Sequence, residues 1–461
     1  MLNIGIKKAV YICCPNSLHP LLGRIEGSEI GYRLAKGTFW SVAGAVISRG
    51  LMLVASVLVA RILGKTVYGE LGMIKSTVGM FGVFAGFGLG LTATKHVAEF
   101  RNSDPDRAGR IISLSWLVAM TTGGLMALGL LIFAPWLAEH TINAPHLTGV
   151  LRITALILFI NGLNGAQTGA LSGFEAFKAI AYVNLFVGLI SFPFLVLGAY
   201  LGGLTGAVWA LAINLGINWL LNHLALRKEA KRHNVPLAFR NCSRELSILW
   251  KFSLPSVLSS SMVVPVHWAC VALLVNRPNG YDEMGIFSAA NQWYAMLLFL
   301  PSSLGRVVLP VLSEQLGQNE AQQSAKTMIL AMKVNALLVL PIVLLASIGS
   351  PYIMNSYGDT FKDGWPTLIV VLFTAALLSV QTPVGQVLAA SGRVWVRFTM
   401  NMGWAVVFLA GTLLLVHIGS LGLASARAVA YVFHALWIFG FAFRQIQKGQ
   451  KVERLPDGEC F

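Results

Sequence analysis

Charge is scarce in this sequence. Of its 461 residues only 11% are Asp, Glu, Lys or Arg, while 56% are hydrophobic; a soluble domain carries about 25% charged residues. So little polar cover cannot face water on all sides, which excludes a soluble enzyme. Acids are scarcer than bases, 19 against 34, and every Asp and Glu falls in a connector, a terminus or the edge of an apolar run. None lies mid-run, where an exporter of cationic drugs driven by protons or sodium needs a carboxylate to hold its cation and couple its ion. The five cysteines, Cys13, Cys14, Cys242, Cys270 and Cys460, lack the spacing of a metal site. Four of them fall in segments read below as cytoplasmic, so no disulfide framework is expected. A Walker-type phosphate loop is missing as well, and no acid pair or nucleophile–His–acid set stands out. The reading is of a protein that is not an enzyme and needs no cofactor or metal.

What fills the sequence instead is long apolar runs. Thr38 to Ala60 holds one charge, Arg49, and Ile111 to Ala134 holds none. Each is long enough to cross a hydrocarbon core of about 30 Å at 1.5 Å per residue. The spans fall at 38–60, 71–94, 111–134, 146–171, 179–201, 203–226, 249–275, 285–312, 327–349, 365–390, 398–418 and 420–443. Continuous runs mean helices, because barrel strands are short and alternate. The expected fold is an all-α polytopic membrane protein of about twelve transmembrane helices.

The net charge of +15 is a topology signal rather than a nucleic-acid footprint. About 23 of the 34 Lys and Arg fall in segments that are cytoplasmic if the N-terminus is inside, and only Arg61, Lys65, Arg277 and Lys362 fall in outer loops. That bias places both termini in the cytoplasm of a bacterial inner-membrane protein. The cluster Arg227, Lys228, Lys231, Arg232, Arg240 and Arg244 divides the chain into six spans and six. The expected organisation is a cytoplasmic leader at 1–33, a six-helix bundle at 34–226, a basic connector at 227–248, a second six-helix bundle at 249–443 and a cytoplasmic tail at 444–461.

The halves echo each other. At an offset of 215, Lys36, Ser41 and Val42 match Lys251, Ser256 and Val257. At 219, Gln167, Ser172, Gly173 and Lys178 match Gln386, Ser391, Gly392 and Arg397. Parallel repeats of this kind are related by an axis along the membrane normal, and a transporter built from them holds its substrate between the halves.

The bases inside the spans are the candidate binding groups. Arg49 lies 11 residues into span 1, about 17 Å deep. A charge there costs about 2.5–3.5 kcal/mol even on the mildest scale, so it needs a purpose or a partner. Ser41, Ser48, Arg49 and Ser56 fall within one arc of about 90° on the helix, which predicts a wet, positive face suited to phosphate. Lys75, Arg152, Arg306, Lys333 and Arg427 lie nearer span ends, where a side chain can instead snorkel to the interface. Asn161, Asn164 and Gln167 on span 4, and Gln381 and Gln386 on span 10, can bond sugar hydroxyls or each other's helices. The glycines of span 2, Gly79, Gly82, Gly86, Gly88 and Gly90, predict close packing or bending. His267, His417 and His434 stand apart and read as packed, neutral side chains.

Two stretches carry a resemblance. Leu34-Ala35-Lys36-Gly37-Thr38-Phe39-Trp40-Ser41, and Val59-Ala60-Arg61-Ile62-Leu63-Gly64 followed by Val67-Tyr68-Gly69, resemble the polysaccharide (O-antigen-type) flippases of the multidrug/oligosaccharidyl-lipid/polysaccharide exporter superfamily. The resemblance covers about 34–443. It implies two six-helix bundles forming a V, alternating access, a cationic lumen and a polyprenyl-diphosphate-linked oligosaccharide as substrate. The implied partners are membrane lipids, with glycosyltransferases or a polysaccharide polymerase alongside and no nucleic acid. The alternatives are a drug or small-solute antiporter of the same fold, a membrane enzyme of envelope assembly, and a scaffold for glycosyltransferases. The missing carboxylates speak against the first, and the short outer loops against the second.

Overall fold

A computed structural model of the chain describes residues 29–237, 242–248, 262–317, 321–390 and 394–453. The leader to residue 28 and the repeat partners Lys251, Ser256, Val257, Ser391 and Gly392 lie outside them, as do the side chains of Lys36, Ser41 and Arg306. The chain forms twelve spans in two pseudo-symmetric six-helix bundles. Span 1 and the first part of span 2 are the limbs of Glu29–Gly86, which breaks at Gly64. Span 2 continues in Leu89–Phe100, span 3 is Pro105–Trp136 and span 4 is Thr148–Gly173. Spans 5 and 6 are the limbs of Phe177–Arg232, broken at Gly202 and Gly203; the first residues of the basic connector thus prolong span 6. Val263–Val275 is the described part of span 7. Spans 8 to 12 are Gly280–Gly317, Ala321–Ile348, Trp365–Ala390, Val394–Leu415 and Ser420–Glu453.

Backbone geometry at the turns extends the repeat. The hairpin of spans 1 and 2 turns at Gly64 (φ 76°) and that of spans 7 and 8 at Asn279 (φ 56°), 215 residues on; Gly203 (φ 54°) and Gly419 (φ 72°) turn spans 5–6 and 11–12, 216 apart. A left-handed φ is tolerated by Gly and, among other residues, best by Asn. Gly419, a single residue between two long apolar runs, is therefore a sufficient boundary. Packing repeats too. Span 4 lies against spans 2, 3 and 6, as span 10 lies against spans 8, 9 and 12.

Outward faces are apolar, with Leu125, Leu201, Leu345 and Leu436 all more than 60% exposed, as lipid contact requires. Small residues let helices touch inside the bundles: a Cβ on Gly169 of span 4 would meet Gly90 of span 2, one on Gly90 would meet Gly165, and Gly198 and Gly206 would meet each other on spans 5 and 6. This is the close packing that hydrocarbon, offering no hydrophobic drive between helices, favours.

The bundles meet through spans 1 and 2 against spans 7 and 8. Their named contacts crowd toward the Gly64 end. Gly69 lies against the backbone of Tyr281 and Gly285, Gly72 against Ser288, and Gly285 against the Lys65 carbonyl. Around this seam Lys65 pairs with Asp282 at 3.3 Å, and Thr66 donates to the same carboxylate. Arg61 Nε donates to Ser356 O at 2.6 Å, Tyr281 to Ile142 O at 2.8 Å and Asn276 to Thr141 O at 2.7 Å. The segment at 350–364, expected as a plain loop, is a short helix, Ser350–Ser356, and a 3-10 stretch, Asp359–Gly364. Its Tyr357 and Phe361 are fully buried and lie within 6.4 Å and 6.0 Å of the Tyr68 ring, forming an aromatic plug.

Candidate functional site

Beyond the plug, Arg49 and Lys75 stand on spans 1 and 2 with exposed side chains. Arg49 on span 1 stands 15 residues from the Gly64 turn, about 22 Å along the helix. It is exposed, yet it reaches across to the other bundle. One guanidinium nitrogen donates to Ala295 O on span 8 at 3.3 Å, and the guanidinium carbon sits 4.4 Å from the Phe299 ring centre. A long hydrogen bond and a cation–π contact form a modest, reversible bridge.

The wet arc predicted around Arg49 is narrower than expected. Ser48 packs against Gly188 of span 5. Ser56 is buried and lies 2.5 Å from the Tyr68 hydroxyl. An arc of 90° is wide enough that spans 5 and 2 cover its edges. Arg49 carries the polarity of this face at its level, where Val46 is 43% exposed.

Lys75, also exposed, stands on span 2 at about 16 Å from the Gly64 turn. Gly79, Gly82 and Gly86 follow it at i+4, i+7 and i+11, on one helical stripe. The expected close packing holds for Gly90, whose Cβ would come to 3.0 Å from the Gly165 carbonyl oxygen, and the expected bend comes at Phe87 (φ 40°) and Gly88 (φ 63°). The stripe itself is different. Among the described residues, a Cβ on Gly86 would meet nothing within 4 Å, and one on Gly79 would meet only Val264 Cγ1 of span 7, at 3.9 Å. Gly82 looks toward the amide of the exposed Asn161 at 3.6 Å. Gly79 and Gly86 therefore leave a face of span 2 beside Lys75 without side chains, while Gly82 lies toward span 4. One level down, Trp268 Nε1 of span 7 donates to Thr77 Oγ1 of span 2 at 3.1 Å.

The other predicted residues lie elsewhere. Asn164 is buried and donates to Leu215 O of span 6 at 3.2 Å, while Asn222 donates to its carbonyl oxygen at 3.4 Å. Gln167, also buried, bonds Trp219 of span 6 through both ends of its amide, at 3.1 and 3.2 Å. Both amides are spent holding spans 4 and 6 together. Gln386 packs against Gly305 of span 8. Arg152 shares a helical stripe with Leu156, and Lys333 with Leu337, Leu340 and Leu344; all are exposed, the placement of snorkelling side chains. Arg427 does not snorkel. It is 3% exposed, donates to Asn291 Oδ1 at 2.8 Å, and lies between the rings of Phe287 and Tyr294 at 5.0 and 4.5 Å. Arg306 lies on span 8, its side chain outside the described residues.

Sequence reasoning missed a polar file inside the C-terminal bundle: Arg397, Asn401 and Trp404 on span 11 and Tyr431 and His434 on span 12 line a common cavity. The spacings i, i+4, i+7 on span 11, and Arg427, Tyr431 and His434 at i, i+4, i+7 on span 12, were the available signal.

The description "polysaccharide biosynthesis protein" matches residues 34–316. The EPS I polysaccharide export inner membrane protein EpsE of Ralstonia nicotianae is 26% identical over 395 residues, 84% of this chain and 89% of that protein. The Lipid III flippase of Escherichia coli is 26% identical over 285 residues, 61% of this chain and 67% of that protein. These relatives are export and flippase proteins rather than enzymes. Among solved structures, an inward-facing multidrug resistance MATE family transporter of the MOP superfamily aligns with a TM-score of 0.73 at 14% identity, covering 90% of this chain and 99% of that one. The Lipid II flippase MurJ in an inward closed conformation aligns at 0.65 and 15% identity, covering 91% and 93%. At those identities the structures speak for the fold alone.

Proposed function

This chain belongs to the polysaccharide biosynthesis protein family, a multi-pass inner-membrane family, and from that premise we propose that it flips polyprenyl-diphosphate-linked oligosaccharide units by alternating access through a cationic cleft. The observation that carries the reading is the pairing of exposed cations with a smooth wall. Arg49 and Lys75 are exposed, and along the stripe that follows Lys75 the residues Gly79, Gly82 and Gly86 present no side chains; in this reading they line the cleft. Guanidinium and ammonium groups suit a diphosphate, and a glycine wall leaves room for bulky sugars to slide. The polyprenyl tail stays in lipid while the head group crosses.

Several features support alternation. The bundle contacts crowd at the Gly64 end, around the small-residue seam and the plug of Tyr357 and Phe361. With both termini cytoplasmic, as the basic residues argue, that end is periplasmic and the cleft opens inward. The bridge from Arg49 to Ala295 is then the natural point of coupling. A diphosphate that draws the guanidinium away loosens span 1 from span 8 and biases the bundles toward the other state.

The test is glycan export in a strain lacking the native gene, at matched expression. Arg49→Ala is expected to abolish export with the protein still in the membrane, and Arg49→Lys to restore it only in part, since an ammonium cannot bind two oxygens as a fork does. Full export by the Ala variant overturns the role of Arg49.

A further inference from the structure

Spans 2 and 4 each turn one face to lipid and another inward. Successive helical residues step by about 100° around the axis. On span 2, Phe84 is 39% exposed and lies about 160–180° around the helix from Lys75, Gly82 and Gly86. On span 4 the exposed Arg152 and Leu156 lie about 140–180° from Asn161 and Gly165. The faces that carry Lys75, Gly86, Asn161 and Gly165 therefore point away from lipid. At the sealed end this inward stripe is closed, since Tyr68, two turns from Lys75, is buried against Ser56 of span 1. Further along it is open. Asn161 and Gly165 are exposed, and among the described residues a Cβ on Gly165 or Gly86 would meet nothing within 4 Å.

Asn161 stands near the middle of the 26 residues of Thr148–Gly173, close to the bilayer midplane. Its Nδ2 comes to 3.6 Å from the place a Gly82 Cβ would occupy, and its amide makes no hydrogen bond to another described residue. The next polar residues on the same helix fare differently: Asn164 and Gln167 are buried and spend their amides on span 6. An amide facing hydrocarbon at this depth would carry a standing cost. Asn161 is on the inward face, where water or cargo meets it. Gly82, Gly86 and Gly165 leave it clear of other side chains.

We propose that Asn161 is a specificity-determining residue that reads the sugar part of the cargo. It takes a group that both donates and accepts, a hydroxyl or an acetamido group, because a carboxamide presents the matching pair of carbonyl oxygen and NH2. Being uncharged, it is indifferent to the diphosphate, which Arg49 and Lys75 are suited to hold. Along span 2, Gly82 lies about 10 Å from Lys75, so a diphosphate at Lys75 leaves the sugars room at the level of Asn161. The inference rests on the flippase reading and adds to it the residue that tells one sugar from another.

Two measurements on the full-length protein test this. In inverted membrane vesicles, in a background without the five native cysteines, Asn161→Cys should be labelled by a membrane-impermeant thiol reagent. Leu156→Cys, on the lipid face, should not. An unlabelled Asn161→Cys, or equal labelling of the two, overturns the inward placement. Binding to the purified protein is then compared for two probes, polyprenyl diphosphate and the same lipid carrying the oligosaccharide of the strain that encodes this chain. Asn161→Leu, close in size, should weaken the glycan-bearing lipid about tenfold, roughly the worth of one hydrogen-bonded group, and leave the bare diphosphate unchanged. Arg49→Ala should weaken both. Because the amide holds no neighbour, Asn161→Leu should melt with the native protein. A variant that melts early, weakens both probes alike or weakens neither overturns the role of Asn161 and leaves the flippase reading standing. Failure of the native protein to bind either probe sinks the flippase reading itself, a result the labelling does not depend on.

Discussion

Replacing Gly69 by Ala should open the Gly64 end of the transporter. A Cβ at this position meets the Tyr281 carbonyl oxygen at far less than contact distance, with Gly285 N at 2.8 Å and Tyr281 C at 2.9 Å. All three are backbone atoms of span 8, so no rotamer change relieves the clash. The added methyl is an overpacking substitution, which costs about 1–3 kcal/mol. The cost falls on the state in which spans 2 and 8 touch and vanishes when they part. A differential of about 1–3 kcal/mol shifts a two-state ratio by about 5–150-fold. The assay is labelling of Ser288→Cys by a membrane-impermeant thiol reagent added outside intact cells, in a background without the five native cysteines. Ser288 lies against Gly72 within the seam and its hydroxyl is buried, so its labelling reports opening. Gly69→Ala should raise the labelling rate and lower glycan export, because a cycle that cannot close one end is interrupted. An unchanged labelling rate in a protein that still folds and inserts would refute both the gate and the assignment of that end to the outside.

Three further outcomes follow from the same geometry. Asp282→Asn removes the partner of Lys65, and with both side chains about a quarter to a third exposed the loss is at most about 1 kcal/mol; Ser288→Cys labelling should rise much less than with Gly69→Ala, and an equal rise would move the gate from the glycine seam to the ion pair. Gln167→Ala leaves Trp219 without its amide partner, at about 1–3 kcal/mol; the purified protein should melt at lower temperature, and a loss of export at unchanged stability would place Gln167 in the cargo path instead. Reporter fusions after Gln447 should read as cytoplasmic and after Gly280 as periplasmic, and a periplasmic signal at Gln447 would overturn the orientation.

The helices were legible because lipid enforces a simple rule: an apolar run must be long and must close its own hydrogen bonds. The boundary at Gly419, one residue between two apolar runs, was weak in the sequence, and only its left-handed φ of 72° makes it sufficient. What the chain does with polar residues inside the membrane was less legible, because a polar side chain there serves either neighbours or cargo and periodicity does not say which. Asn164 and Gln167 hold span 6, a helix about fifty residues away in sequence. Arg427 looked shallow when counted along its own span, yet span 8 folds Phe287, Asn291 and Tyr294 over it. The plug of Tyr357 and Phe361 was hidden for the opposite reason, since a short outer segment carries no periodicity to announce that it turns inward.

The glycines of span 2 offer the sharpest contrast between a packing seam and a passage. If Gly79 were kept small so that another helix could press on it, a larger residue would clash and destabilise the protein, as at Gly69. The structure gives the opposite expectation. Among the described residues, Val264 Cγ1 is the only heavy atom of another helix within 4 Å of a Gly79 Cβ, and it lies at 3.9 Å, ordinary contact. Helix propensity also favours the change, since Leu in a helix interior is better than Gly by roughly 0.8–1.0 kcal/mol. Gly79→Leu should therefore insert normally and melt no lower than the native protein. Its isobutyl group would project into the cleft one turn from Lys75, narrowing the path the sugars take. Export should fall sharply while folding is preserved, and Gly79→Ala should fall between. The pair of readouts decides the matter. A Leu variant that is poorly inserted or melts early returns Gly79 to a packing role. A variant that is stable and exports at the native rate removes span 2 from the passage, and with it the glycine wall on which the cleft's proposed use depends.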